Sequence, residues 1–248
     1  IDNRSSRMVQ EAMLEGGKIH RKIQNSMGSS YTAEVPLKIE RIEESYVLVV
    51  EGRADGIAFG EFVADEPAKQ IEEQRLLEKQ KDEMQIGEQL WYIDEIKGVY
   101  RNLASMEHPV YVHKAQAMCY AYIYALQNHL DRIGVQMTYC NLDTEDIRYF
   151  REIWEWEDLY DWFEHLIAEY KKWADWQIAW RKKRQESIAQ LEFPYPYREG
   201  QRKLVADVYR TIIRRKTLFI QAPTGVGKTI STIFPAVKAV GEGLADRI

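Results

Sequence analysis

Close to its C-terminal end the chain reads Gln221-Ala-Pro-Thr224-Gly225-Val-Gly227-Lys228-Thr229, the residue types and spacing of a phosphate-binding loop. The glycines let backbone N–H groups close on phosphate oxygens. Lys228 is long enough to reach the β/γ oxygens, and the Thr229 hydroxyl can ligate Mg²⁺. Thr217–Gln221 reads as a buried strand entering the loop and Ile230–Val240 as the helix leaving it. A second set of residues stands upstream, in the order Gly16-x-x-x-His20, Gly52-x-x-Asp55, Glu95-Ile96-Lys97 and Gln116-x-x-x-Tyr120. An acid at one strand end, beside Glu-x-Lys on its neighbour, can hold a divalent cation between two carboxylates. The lysine can then stabilise charge or position a metal-bound hydroxide, and an imidazole can complete the site. Each piece also has a plainer reading. Glu-x-Lys arises as a charge pair on a surface strand, His20 as an exposed helix residue, and Gln116 and Tyr120 as satisfied core polars.

The elements that must position these groups follow from periodicity. Val9, Met13, Ile19 and Ile23 predict a helix over 5–24, interrupted by Gly16-Gly17. Glu34–Ile42 and Tyr46–Glu51 read as strands joined by a short polar turn, and Leu90–Lys97 and Val135–Cys140 as two more. On 90–97, Trp91, Ile93, Glu95 and Lys97 share a face and Asp94 points the other way, while Glu51, Arg53 and Asp55 share parity on the earlier strand. His108–Asn128 is helical, with His113, Gln116 and Tyr120 on one side. Asp143 and Thr144 offer an N-cap for a long helical region. That region holds six of the seven tryptophans, between Trp154 and Trp180. Leu159, Phe163, Leu166, Tyr170, Trp173 and Trp180 recur at helical spacing there, a pattern that reads as core packing and could alternatively stack single-stranded bases. Residues 65–89 are charged and predict an exposed helix or insertion, and Phe193-Pro-Tyr-Pro-Tyr197 a linker.

Composition sets the outer bounds. The chain has 248 residues, 45% hydrophobic and 29% charged, as an ordinary globular protein of one or two domains does. No apolar run is long enough for a membrane span, and no secretion leader is evident. Cys119 and Cys140, outside any CxxC spacing, fit a reduced cytoplasmic setting without a cysteine-held metal. The net charge of −5 gives no general attraction to nucleic acid, so a DNA path must be a local patch. Residues 61–95 carry eleven acids and four bases, whereas Lys171, Lys172 and Arg181–Arg184 form a basic stretch that reads as a solvated helix end. Ile1 in place of Met, and a phosphate loop ending 19 residues before the last, predict a piece of a longer protein. An ATP motor also needs a later acidic strand and usually an arginine finger. The chain alone is therefore expected not to hydrolyse ATP.

The upstream order G-x-x-x-H, G-x-x-D, E-x-K, Q-x-x-x-Y resembles the RecB-like branch of the PD-(D/E)xK nucleases, over about residues 5–145. The resemblance implies a mixed sheet flanked by helices. It also implies His20, Asp55 and Glu95 as ligands of Mg²⁺ or Mn²⁺, the Ile96 carbonyl as a backbone ligand, and Lys97 as the catalytic lysine. Gln116 and Tyr120 would lie beside the DNA backbone. Many relatives hold an iron–sulfur cluster with cysteines that this segment lacks. From Tyr197-Arg-Glu-Gly-Gln201 through the phosphate loop to Ile230-Ser-Thr-Ile-Phe-Pro-Ala, the chain resembles the opening of an XPD/DinG-type superfamily 2 helicase. That likeness implies ATP with Mg²⁺ on Thr224, Gly225, Gly227, Lys228 and Thr229, adenine read by Gln201 and stacked by an aromatic such as Tyr197, and a 4Fe–4S cluster only downstream of Ile248. The implied organisation is an α/β nuclease core (1–145), an aromatic-rich helical extension (146–190) and the truncated start of a RecA-like P-loop domain (191–248). The implied activity is that of a helicase–nuclease on single-stranded or forked DNA in repair or processing. An inactive nuclease-fold DNA clamp joined to a helicase is the alternative.

Overall fold

The computed structural model describes residues 16–65 and 87–247. The chain is mixed α/β. Helix α1 covers 16–26, followed by β1 (Tyr31–Ile42), β2 (Val47–Phe62), β3 (Glu88–Val99), α2 (Tyr111–Asn128), β4 (Arg132–Asn141), β5 (Ile147–Glu155), α3 (Trp156–Ala189), α4 (Gln201–Ile213) and α5 (Lys228–Gly241). It divides into two compact units, Ile1–His165 and Leu166–Ile248. The predicted helical residues before 16 and most of the charged 65–89 segment lie outside the described residues.

The first unit is built on one five-stranded sheet in the order β1-β2-β3-β4-β5. Only β3 and β4 run parallel, because α2 lies between them in sequence and carries the chain back across the sheet. β4 is buried from Ile133 through Cys140, as a central strand covered on both faces must be. α2 packs on β3 and β4 and buries Ala117, Met118, Ala121 and Ile123. Near its end Tyr122 stacks on Phe163 of α3 with ring centroids 3.8 Å apart, and Arg41 donates to the Tyr122 hydroxyl at 3.2 Å.

Strand β2 is longer than the 46–51 stretch predicted, running on through Gly52 and Gly56 to Phe62. Its two halves serve different neighbours. Residues 47–58 pair with β1, but pairing with β3 starts only at Gly56↔Asp94 and runs to Phe62↔Glu88. The sheet therefore splays between Asp55 and Glu95, and Glu95–Val99 pair with β4 alone.

Three expectations are corrected. Residues 147–155 form the edge strand β5 rather than the start of a helix. Their antiparallel ladder with β4 satisfies backbone groups that a helix from Asp143 would have taken. The aromatic stripe is core only at Leu159 and Phe163. Tyr170, Trp173 and Trp180 are 49%, 52% and 51% exposed. Residues 217–221 are not a strand, and Phe219 is 93% exposed. A central parallel strand exists only when neighbours supply its ladder, and among the described residues no strand pairs with this segment.

Candidate active site

The splay in the sheet is where the upstream residues meet. N-terminal to Gly56 the β2 backbone does not pair with β3, and the Asp55 side chain takes over: its Oδ2 accepts the Ile96 N–H at 2.8 Å. Asp55 Oδ1 lies 3.4 Å from Nδ1 of His20. The imidazole is set there by α1, whose Ile19 and Ile23, one turn apart, are buried with Ile96 and Cys140. Burial of two such aliphatic side chains contributes about 1.5–3 kcal/mol each, enough to fix the helix against the sheet. Gln24 on the same helix donates to the Asp55 carbonyl at 2.8 Å.

Glu95 is 1% exposed on β3. Its Oε1 accepts from Lys97 Nζ at 2.6 Å, as the shared strand face predicts. Its Oε2 is buried with no hydrogen-bond partner among the described residues. Burial, followed by the neighbouring Asp55 charge, pushes the Glu95 carboxyl up to about 7, opposed by Lys97 and His20. The hydrogen bond to Asp55 raises the His20 pKa against the opposing effect of burial. Lys97 Nζ also donates to Gln116 Oε1 at 3.3 Å, and Gln116 Nε2 donates to the Tyr120 hydroxyl at 3.2 Å. A Cβ at Gly52 would sit 2.5 Å from that hydroxyl, so the glycine makes room for Tyr120 over β2.

The structure thus brings His20, Asp55, Glu95, Ile96, Lys97, Gln116 and Tyr120 to one place. His113 stands beside it, bound through Nδ1 to the Tyr139 hydroxyl at 3.0 Å. Two carboxylates, an imidazole and a peptide carbonyl are the donor set of a hard divalent cation, and the unpartnered Oε2 of Glu95 fits one. As the side chains stand, however, no group of three or more His, Cys, Asp or Glu among the described residues is arranged to hold a metal. Asp55 is turned to Ile96 and His20, and Glu95 Oε1 to Lys97.

Behind the site lies a buried polar layer that sequence reading missed. Asp94, fully buried, accepts from the Tyr31 hydroxyl at 3.1 Å and from the Thr138 hydroxyl at 2.5 Å. Burial pushes its carboxyl up, against those hydrogen bonds. The Tyr31 ring fills the space where a Cβ of Gly56 would be, so Gly56 is required next to Asp55. The glycine and the Asp94 parity were visible signals; the tyrosine that opens β1 was not.

In the second unit, Gln201, Thr224, Gly225, Gly227, Lys228 and Thr229 line one cleft of about 480 Å³, together with Tyr195, Pro196, Arg198 and Ile230. Gly225 and Gly227 have φ of 85° and 76°, the left-handed region that glycine enters freely. A Cβ at Gly227 would meet Gln201 Nε2 at 2.5 Å. Gln201 is 4% exposed and its Oε1 accepts the Arg198 N–H at 3.0 Å. Lys228 Nζ donates to the carbonyls of Ala222 and Pro223 at 3.0 and 2.9 Å. α5 starts at Lys228 and aims its free N–H groups at the same cleft. Tyr197 stacks on Phe193 with ring centroids 4.3 Å apart, and the aromatic residue lining the cleft is Tyr195. The alternation Phe-Pro-Tyr-Pro-Tyr does not reveal which ring turns inward.

No family model matches the chain. A stretch of 47 residues, 18% of the chain, is 43% identical to the probable ATP-dependent helicase MJ0942 of Methanocaldococcus jannaschii and spans 7% of that protein. The crystal structure of SSO0001 aligns with 59% of this chain and 53% of its own, at 16% identity and a TM-score of 0.37, too loose to establish a shared fold. The chain matches well under two thirds of either relative's length. Part of it is therefore similar to a helicase. No helix among the described residues is long and apolar enough to cross a membrane, and both cysteines are free.

Proposed function

We propose that the chain is the front part of an ATP-dependent DNA helicase–nuclease. In this reading the first unit hydrolyses phosphodiesters of single-stranded or forked DNA, and the cleft around Lys228 is the start of the motor's ATP site. The observation that carries the nuclease reading is the buried, unpartnered Oε2 of Glu95, held beside Asp55 with Lys97 on its other oxygen. A buried carboxylate oxygen without a partner is costly, and a hard cation removes that cost.

Asp55 and Glu95, with His20 and the Ile96 carbonyl, would hold Mg²⁺ or Mn²⁺. Bound there, the ion would supply an acidified water and offset the charge building on the phosphate. Lys97 places an ammonium where a phosphate oxygen gains charge, a form of stabilisation that acts most in the transition state. Gln116 and Tyr120 fix that lysine and present amide and hydroxyl groups to a DNA backbone. In the second unit, Lys228 would give up the Ala222 and Pro223 carbonyls for phosphate oxygens, Thr229 would take Mg²⁺, and Gln201 would read adenine. The similarity of part of the chain to a helicase supports the motor reading. The functional division into a nuclease core (1–145), a helical extension (146–190) and a motor start (191–248), in a reducing cytoplasmic setting, belongs to the same proposal.

An inactive clamp is the second reading, favoured by the arrangement of the acids, which as they stand form no metal-ready group among the described residues. Calorimetric titration with Mn²⁺ separates the two. One site lost in Glu95→Gln supports the nuclease, and no heat in the wild-type chain supports the clamp. Cleavage of single-stranded DNA with Mn²⁺, strongly reduced in a folded Lys97→Ala chain, completes the test. Undiminished cutting by that variant removes Lys97 from the mechanism.

A further inference from the structure

Within the second unit, helix α3 turns three tryptophans away from the elements it packs on. Its covered positions there are buried Ile167 and half-buried Lys171, Ala174, Ile178, Arg184, Gln185 and Ile188. They lie on one side, where Ile188 packs on Gly241 of α5 and Lys238 Nζ donates to the Ala189 carbonyl at 3.0 Å. Trp173, Trp176 and Trp180 recur at i, i+3 and i+7 on roughly the opposite side, 52%, 59% and 51% exposed. An amphipathic helix normally buries its large apolar residues and leaves the small and polar ones outside. Here the covered side is filled by isoleucines and the three indoles stay outside it, so the core of this unit does not explain them.

The rings are already arranged. Trp176 and Trp180 lie parallel, 1° apart in plane with centroids 6.1 Å apart, and Tyr170 lies 5.9 Å from Trp173 one turn earlier. The surroundings are cationic. Residues 166–184 carry six bases and two acids, in a chain whose net charge is −5. Lys183 lies three residues beyond Trp180 and Lys172 four before Trp176, so both ammonium groups flank the indoles. Lys172 reaches Glu169 at 2.5 Å, whereas Lys183 forms no ion pair among the described residues.

We propose that this face of α3 is a stacking platform for single-stranded DNA, with bases on Trp173, Trp176 and Trp180 and phosphates on Lys172 and Lys183. Successive π-faces with flanking cations are what an unpaired strand needs, and they tolerate any base. A duplex offers its bases only at its ends. A second copy of the chain would bring its own lysines against these, so self-association through this face is opposed by charge. The choice of DNA rests on the proposed function; the platform itself rests on the exposed rings and the local charge.

The test uses the whole chain and a fluorescein-labelled oligodeoxythymidylate followed by anisotropy. Each single Trp→Ala exchange is expected to weaken binding by roughly 5- to 100-fold, and Trp→Phe to restore much of it. Lys172→Ala/Lys183→Ala should lower the slope of log K against log salt by about 0.7 for each phosphate that a lysine had neutralised. Hydrolysis of thymidine 5′-p-nitrophenyl phosphate with Mn²⁺, a substrate too small to need the platform, should be unchanged in the tryptophan variants. If that hydrolysis is absent in the wild-type chain while tryptophan-dependent binding persists, the nuclease reading fails and the platform stands. Unaltered strand affinity in the folded Trp173→Ala/Trp176→Ala/Trp180→Ala chain overturns the platform. Loss of dimer, or of binding to anionic vesicles, in that chain with strand affinity unchanged overturns it too, in favour of a second copy or a lipid surface.

Discussion

The acid–lysine site and the phosphate loop lie on the same chain but stand at opposite stages of assembly. At the first, the side chains are placed by strand pairing, by α1 and by α2: Asp55 holds the Ile96 N–H, Lys97 reaches Glu95 and Gln116, and Ile19 and Ile23 seat His20. At the second, the helix and glycine conformations are in place, yet the segment leading into the loop has no ladder among the described residues and Phe219 is 93% exposed. A site made by one sheet can be complete within one unit. A phosphate loop draws its rigidity from a parallel strand, and that strand draws its own from neighbours. Motif and function are thus farther apart in the second region than in the first.

The sharpest way to break this contrast is chemical. Lys97→Ala should lower Mn²⁺-dependent cleavage on the order of 10²- to 10³-fold, the usual cost of removing one transition-state charge partner, with an unchanged circular dichroism spectrum. ATP turnover by the 248-residue chain should stay at background in the same preparation. Burst-free, sustained release of phosphate would show the loop to be as complete as the sheet site.

Next in size is Gly56→Ala, whose Cβ would enter the space of the Tyr31 ring. Displacing that ring unseats the hydroxyl from buried Asp94, and a loss of about 2–3 kcal/mol is expected in urea unfolding followed by the first unit's signal. An unchanged midpoint would mean the layer behind the site is pliable. Glu164→Gln should cost about 1 kcal/mol, through the half-buried pair with Arg41. Arg41 holds the Glu164 carboxyl below its usual range. Its contribution is therefore present above the ordinary glutamate pKa and is lost as pH falls through the lower folded value. The pH dependence of Tm in acid should flatten in the variant. Smallest is Lys228→Ala, expected to change stability by less than about 0.5 kcal/mol, because an exposed lysine on its own loop's carbonyls supports no packing.

Much of the first site was legible because strands have period two. Parity alone placed Glu95 with Lys97 and sent Asp94 to the far side, where Tyr31 and Thr138 receive it. What parity cannot give is register, and so the splay after Gly56↔Asp94 came only from the structure. Ile147–Glu155 was misread because its aromatic and acidic residues run without a break into α3, and tertiary pairing with β4 decided between strand and helix. The tryptophans show the same limit in a helix. Spacing identifies a face but not whether protein or solvent lies against it, and at Trp173, Trp176 and Trp180 it is solvent.

Asp55 stands in for a missing rung, accepting a backbone N–H that the departing strand would otherwise have bonded. A neutral replacement there would damage the scaffold along with any chemistry, and the two losses would arrive together in an assay. If the proposed cleavage holds, Lys97, whose amine bonds no backbone group, is the position at which to remove it, and the aspartate is better left alone.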